Sequence, residues 1–308
     1  MKNILTGLCF LFVCNNVLLA QQTIQEKLGY PKDAKLLIIH GDDLGVSHSE
    51  NEATEEAMEK GSVRSASIMV PTPWLSEIAA YARTHPTADF GLHLTLTSEW
   101  SYYKWGPVAG KSVVPGLVNQ HGYFYSSVDS LDKTATVAEV ETELRAQIEK
   151  AKGLGIDVTH LDSHMGALFN KKEFRDVYIK LGREYKIPVF IDKEFGLAFG
   201  MDSATYSGAN EVKVDRVFTI NPGDYIKGSA AYYTKTLHTI PPGLNLFIIH
   251  VAYNDKEMQS ITVDHPDWGA AWRQADHDFF TTDVCRKILR DEHIQVVTWR
   301  EIRDKLYR

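Results

Sequence analysis

The chain has 308 residues, 44% of them hydrophobic, and 33 Lys and Arg against 40 Asp and Glu give a formal charge of −7. That balance argues against nucleic acid as a partner and favours neutral or cationic ligands only weakly. The length suffices for one large α/β core, and no repeat, low-complexity tract or Ser/Gly linker divides it.

Met1-Lys2-Asn3 precedes Ile4 to Ala20, a stretch without a single charge, and Gln21-Gln22 follow. One basic residue, a short apolar run and a small residue before a polar start predict a secretory signal cut after Ala20. The expected organisation is a signal peptide over residues 1–20 and a single domain over 21–308. The destination is the periplasm or the outside of the cell. An uncleaved anchor is the alternative, but Cys14-Asn15-Asn16 interrupts a segment already short for a bilayer. Val13 is bulky for the residue before a lipoprotein cysteine. Cleavage would leave Cys285 as the sole cysteine and a formal charge of −8. No intrachain disulfide could then form, and the core alone would hold the fold.

Residues 21–34 read as a lead-in. Leu36-Leu37-Ile38-Ile39 is too short for a helix and reads as a strand buried on both faces, running into His40-Gly41-Asp42-Asp43-Leu44-Gly45. Two adjacent carboxylates are costly to bury unless a cation accompanies them. One reading gives Asp42 and Asp43 separate duties around a metal ion; the plain alternative has Asp43 cap the turn before the next helix. That helix spans Ser49 to Lys60 and ends at Gly61. Ser65 to Val70 reads as a strand, Trp74 to Arg83 as a helix and Phe90 to Leu96 as a third strand carrying His93. Residues 98–127 form a long aromatic excursion with Trp100, Tyr103 and Trp105, suited to stacking on sugar rings or to packing against the fold.

Val137 to Gly153 has apolar positions three and four apart and is the clearest helix. It leads to Thr159-His160-Leu161-Asp162-Ser163-His164, then a helix from Phe174 to Tyr185 and a strand over residues 187–191. Residues 193–210 are glycine-rich and irregular. Val214 to Ile220 and Leu244 to Val251 read as strands, the second carrying His250. One helix is predicted from Asp276 to Asp291, then a strand within His293 to Trp299 and a closing helix. Strand–helix alternation implies parallel strands with right-handed crossovers. The expected fold is α/β, a distorted (β/α) TIM-like barrel in a single domain, with an open doubly wound sheet as the alternative. No GxGxxG or GxxxxGK[ST] follows any strand.

In a barrel the carboxyl ends of the strands form the active face. Asp42, Asp43, His93, the His160–His164 segment and His250 all fall at predicted strand ends. Imidazoles with a carboxylate and open positions make a catalytic metal site rather than a structural one.

The strand ending in Asp42-Asp43-Leu44-Gly45, the Gly91-Leu92-His93-Leu94-Thr95-Leu96 strand and Thr159-His160-Leu161-Asp162-Ser163-His164 together resemble the YdjC-like (chitooligosaccharide deacetylase-like) carbohydrate deacetylases. The resemblance runs from about residue 35 to the C-terminus. It implies a distorted barrel with one divalent metal, Zn or Mg, held by Asp43, His93 and His164. It further implies Asp42 as general base and His250 as general acid. The expected substrate is an acetylated mono- or oligosaccharide. Two departures sit at the expected pocket rim: His250 is followed by Val251-Ala252-Tyr253 where the family shows Pro-Gly, and His164 by Met165-Gly166-Ala167 where it shows further histidines.

His160 and Asp162 are expected to orient His164 or the base, and His40 to be structural. Arg273, with Asp276, either reaches substrate or forms a surface ion pair. Trp100, Tyr103 and Trp105 complete the expected substrate contacts. The chain leaves a homodimer open. A glycoside or phosphate-ester hydrolase and a non-catalytic sugar-binding barrel are the competing readings. A phosphoesterase would want basic residues beside these motifs, and the sequence supplies none there.

Overall fold

Every other element is arranged around strand β1 (Lys35–Leu44), whose residues after Lys35 are all buried. The computed structural model describes residues 22–192 and 212–308, so the predicted signal segment and the 193–210 stretch lie outside the described residues. β1 pairs in parallel with β6 (Gly243–His250) from Lys35↔Gly243 to Asp42↔His250. Its other edge is shared: β7 (Ile294–Val296) takes the first residues and β2 (Ser65–Ile68) the last. The sheet continues through β3 (Phe90–Leu94) to β4 (Leu161–Ser163) on one side and to β5 (Arg216–Phe218) beyond β6 on the other. Parallel bridges Leu161↔Val189 and Asp192↔Val214 then link its two edges, so the sheet curls into a distorted barrel. The expected strand at 187–191 is reduced to these bridges.

Side chains alternate along a strand. Leu37 and Ile39 face outward with Phe247 and Ile249, packing on helix α2 (His48–Glu59) through Ala53 and Ala57. Leu36 and Ile38 face inward with Leu244 and Leu246, and the lead-in, helix α1 (Ile24–Leu28), closes that end with Leu28. The same alternation turns His40 and Asp42 inward. β1 then departs from regular register between Gly41 and Leu44, and Asp43 takes a positive φ of 69°. A left-handed residue breaks the period of two, so Asp43 faces the barrel mouth beside Asp42 instead of away from it.

Helix α3 (Leu75–Thr84) returns the chain to β3. The aromatic excursion holds a 3₁₀ turn at Pro115–Leu117 and the isolated bridges Thr97↔Tyr125 and Val118↔Phe124, then a short helix α4 (Val128–Thr134) that the pattern did not show. Helix α5 (Val137–Gly153) begins with a Thr136/Glu139 capping box. It pins the excursion by two carboxylates: Glu143 accepts from the backbone N–H groups of Val108 and Ala109, and Glu139 from that of Gly116. Helix α6 (Lys172–Tyr185) follows β4.

Helix α7 (Pro222–Leu237) was masked in the sequence by its own glycines, one of which, Gly228, interrupts it at φ 117°. Asn221 capping it and Pro222 opening it were the available start signals. After the short helix α8 (Lys256–Ile261), the single helix expected over 276–291 is two: α9 (Ala270–Phe280) and α10 (Asp283–Asp291). Thr282 caps the second by accepting from the Cys285 N–H, and a threonine inside a helical pattern is a restart signal. Helix α11 (Trp299–Leu306) closes the chain. Among the described residues no helix is long and apolar enough to cross a membrane.

Candidate active site

The carboxyl ends of β1, β3, β4 and β6 open onto a cavity of about 450 Å³ whose wall includes Asp42, Asp43, His93, His164 and His250. Residues up to 208 positions apart in sequence are thus brought together. The strands set this directly, since Asp42 is the register partner of His250 and His93 that of Asp162.

Three of these groups form a tight trio. Asp43 Oδ1 lies 3.5 Å from His93 Nε2 and 3.3 Å from His164 Nδ1. Each group's other polar atom is already engaged. Asp43 Oδ2 accepts from Arg273 at 2.7 Å, His93 Nδ1 lies 2.6 Å from Asp162 Oδ1, and His164 Nε2 lies 3.0 Å from Glu99 Oε2. The carboxylates fix the tautomers, leaving one lone pair on each ring aimed at a common point. Asp43 Oδ1 itself is buried without an aligned hydrogen-bond donor. A stripped carboxylate oxygen beside two converging imidazole nitrogens fits a divalent cation, and these three atoms lie within 4.8 Å of one another.

Electrostatics supports the same arrangement. Burial would raise the Asp43 carboxyl, but the Arg273 guanidinium and His164 hold it well below the usual carboxylate range. Burial would lower His164, but Glu99 and Asp43 outweigh it and push it up to about 10. His93 is raised in the same sense, burial being overcome by Asp162 and Asp42. A cation entering the trio would therefore take the place of protons. His250 goes the other way: burial, reinforced by Arg273, brings it down to about 4. It stands as a neutral imidazole, its Nε2 3.9 Å from Asp43 Oδ2, and its backbone N–H is held by Asp276 Oδ2 at 2.9 Å.

Other expected residues fall differently. Arg273 is not a surface ion pair. It is 2% exposed, and its guanidinium is spent on Glu50 through one nitrogen, on Asp43 through another and on the Trp268 carbonyl through Nε. It touches the cavity wall but has no fork left for substrate. Of the three expected aromatics, Trp100 lines the cavity, and Phe169, Phe190 and Trp268 line it with Trp100. The Trp105 indole donates to the Thr97 carbonyl and packs edge-on behind His164, and the Tyr103 hydroxyl donates to the Val46 carbonyl. Asp162 orients His93 rather than His164. His160 bonds neither: Thr159 lies beside its Nδ1, Trp299 stacks on its ring, and its Nε2, without a hydrogen bond among the described residues, stands 3.9 Å from Asp162 Oδ2.

Two participants went unrecognised in the sequence, and a third, His40, was read there as structural. Glu99, in the aromatic excursion, holds His164. Glu50, in the first turn of α2, holds Arg273; an acid there looks like ordinary dipole complementation. His40 lies between Asp42 and Asp162, and its spacing of two from Asp42 was the signal that both share a strand face.

A family profile described as YdjC-like protein matches residues 36–291. The chain is similar to a carbohydrate deacetylase of Thermus thermophilus, 31% identical over 282 residues that cover 89% of this chain and 96% of that protein. A carbohydrate deacetylase of Thermoanaerobacter pseudethanolicus is 27% identical over 272 residues, covering 86% and 98%. Among solved structures, an Enterococcus faecalis protein provisionally assigned to cellobiose-phosphate cleavage superposes with a TM-score of 0.73 at 21% identity, over 87% of this chain and 99% of that one. That last likeness is one of fold.

Proposed function

The chain belongs to the YdjC-like family, and from that premise we propose that it is an exported, metal-dependent hydrolase that removes acetyl groups from N-acetylated carbohydrates, with O-acetylated ones as further candidates. The observation that carries this is the trio of Asp43, His93 and His164, whose remaining polar atoms are all committed elsewhere, with Asp42 and His250 beside it on an open cavity. A purely sugar-binding barrel has no use for such a donor set. Two imidazoles and a carboxylate suit Zn²⁺ better than Mg²⁺.

Asp43, His93 and His164 would hold a divalent ion, which when bound would supply Lewis acidity toward water and the acetyl carbonyl. Asp42 takes the proton of the attacking water. His250, neutral at rest, takes up a proton from solvent at the open cavity as negative charge develops on the tetrahedral carbon's oxygen, and delivers it to the leaving nitrogen as the C–N bond breaks, while Asp42 releases the water's proton to solvent. Trp100 offers one aromatic face to a sugar ring, and Glu99, Asp162 and Arg273 hold the ligands in orientation. Hydrolysis of a phosphate ester is disfavoured because Arg273, the cation of the cavity wall among the described residues, is already paired.

Acetate release from a panel of N-acetylated oligosaccharides and O-acetylated glycans tests the proposal, run with metal-loaded protein, chelated protein and Asp42→Asn. Acetate that requires metal and vanishes in Asp42→Asn supports it; tight metal binding with a silent panel favours a binding protein, and no metal binding removes the site. Export rests on the uncharged Ile4–Ala20 segment, and a secreted product whose first residue is Gln21 is the expected outcome of N-terminal sequencing.

A further inference from the structure

Asp42 has one carboxylate oxygen that the cavity explains and one that it does not. Oδ2 lies 3.8 Å from His93 Nε2, on the side of the trio. Oδ1 is buried and has no aligned donor among the described residues. Leaving a carboxylate oxygen in that state is costly unless positive charge faces it. What faces it is His40, a ring 1% exposed inside the barrel, whose Nε2 stands 3.1 Å away.

The same Nε2 lies 3.0 Å from Asp162 Oδ2 and 3.1 Å from Ser67 Oγ, while Nδ1 lies 2.9 Å from Ser65 Oγ. Two carboxylates around one nitrogen require that nitrogen to carry the proton. The two serines fix the ring plane from β2. Asp162, the second acceptor, uses its other oxygen to orient His93. One imidazole edge therefore touches both the rear of Asp42 and the carboxylate that aims a ligand ring. A void of about 40 Å³ is also lined by His40, Asp42 and Asp162, enough for a single water.

Resting on the reading of Asp42 as base, we propose that His40 is its positioning residue: its ring edge, bonded to Asp162 through Nε2, stands 3.1 Å behind Asp42 Oδ1 and sets that carboxylate against it, so that Oδ2 presents to the attacking water in register with His93.

Three variants test this: His40→Met, His40→Gln and Asp42→Asn. They are compared by acetate release from N-acetylglucosamine oligomers, by zinc affinity in chelator competition, and by crystal structures of the two His40 variants. Misplacing a catalytic group by about 1 Å costs on the order of 10²-fold. His40→Met is expected to lose about that in kcat, with KM and zinc affinity within about threefold of the parent, and its Asp42 carboxylate is expected to turn from the cavity. Gln places an amide nitrogen near the position of Nε2, so His40→Gln is expected to recover most of the rate and the parental Asp42 rotamer. The positioning role is overturned if His40→Met keeps the parental kcat or rotamer. It is equally overturned if the glutamine variant is no better than methionine, or if zinc affinity and kcat fall together. Full turnover by Asp42→Asn would instead overturn the base assignment, whatever His40 does. An inactive Asp42→Asn beside a fully active His40→Met would remove the positioning role alone.

Discussion

Replacing Arg273 with methionine is expected to be the most destabilising single change at the site. The side chain is 2% exposed and bonds Glu50 through Oε1 at 2.7 Å and Oε2 at 2.8 Å, and Asp43 Oδ2 at 2.7 Å. Glu50 is fully buried and Asp43 is 4% exposed, so neither carboxylate can recover its hydration when the cation leaves. Breaking a buried pair in this way costs about 3–5 kcal/mol, because it strands two buried acids without their cation, Asp43 as a charge and Glu50 as a carboxyl that burial already pushes well above its usual range. In a domain of this size that lowers the melting temperature by about 10 °C. The assay is urea unfolding of the metal-free protein. Arg273→Lys should fall between, since an ammonium is a point charge that cannot fork to both partners. Adding Glu50→Gln to Arg273→Met should recover part of the loss by removing one stranded acid. If Arg273→Met costs under about 1 kcal/mol, the guanidinium is not what balances these acids, and the account of how Asp43 is held fails.

Asp276 gives a pH signature. Burial pushes its carboxyl up to about 7 despite bonds from Tyr233 and the His250 N–H group. A carboxyl raised on folding contributes fully below its ordinary value of 3.8 and loses that contribution as pH climbs through about 7. Relative to Asp276→Asn, the parent protein should therefore lose about 3–4 kcal/mol between pH 4 and pH 8 in denaturant titrations; a difference that stays flat with pH would contradict this. Tyr103→Phe removes the hydroxyl that braces the Val46 carbonyl and should cost about 1 kcal/mol of stability while leaving KM unchanged. A raised KM with unchanged stability would return Tyr103 to the substrate.

The sequence disclosed the strands that carry the site because each is an apolar run broken by one or two polar residues of unusual type. β1 and β3 were legible for that reason, and with them Asp42, Asp43 and His93. α5 was legible from its period alone. What stayed hidden were groups whose meaning lies in distant partners. Glu50 looks like a helix-start acid until Arg273, 223 residues later, is folded against it, and Glu99 looks like a loop acid until His164 arrives from β4. Trp105 and Tyr103 show the converse: an aromatic run after a strand resembles a sugar platform, yet most of it packs the excursion onto the barrel. The division of the last long helix was missed because apolar periodicity continued through Thr281-Thr282, where capping outweighs pattern.

Gly91 and His160 carry a consequence for how such a barrel can be inherited. On β3, Gly91 leaves room for the His160 ring, and a Cβ there would sit 2.3 Å from its Cε1. Even alanine at position 91 would force the imidazole or a strand to shift. Trimming His160 first would hollow the interior beneath the site and deprive Trp299 of the ring it stacks on. Each single step descends into a poorer fold, and only a paired exchange crosses to another one. Two positions 69 residues apart are therefore expected to change only as a pair.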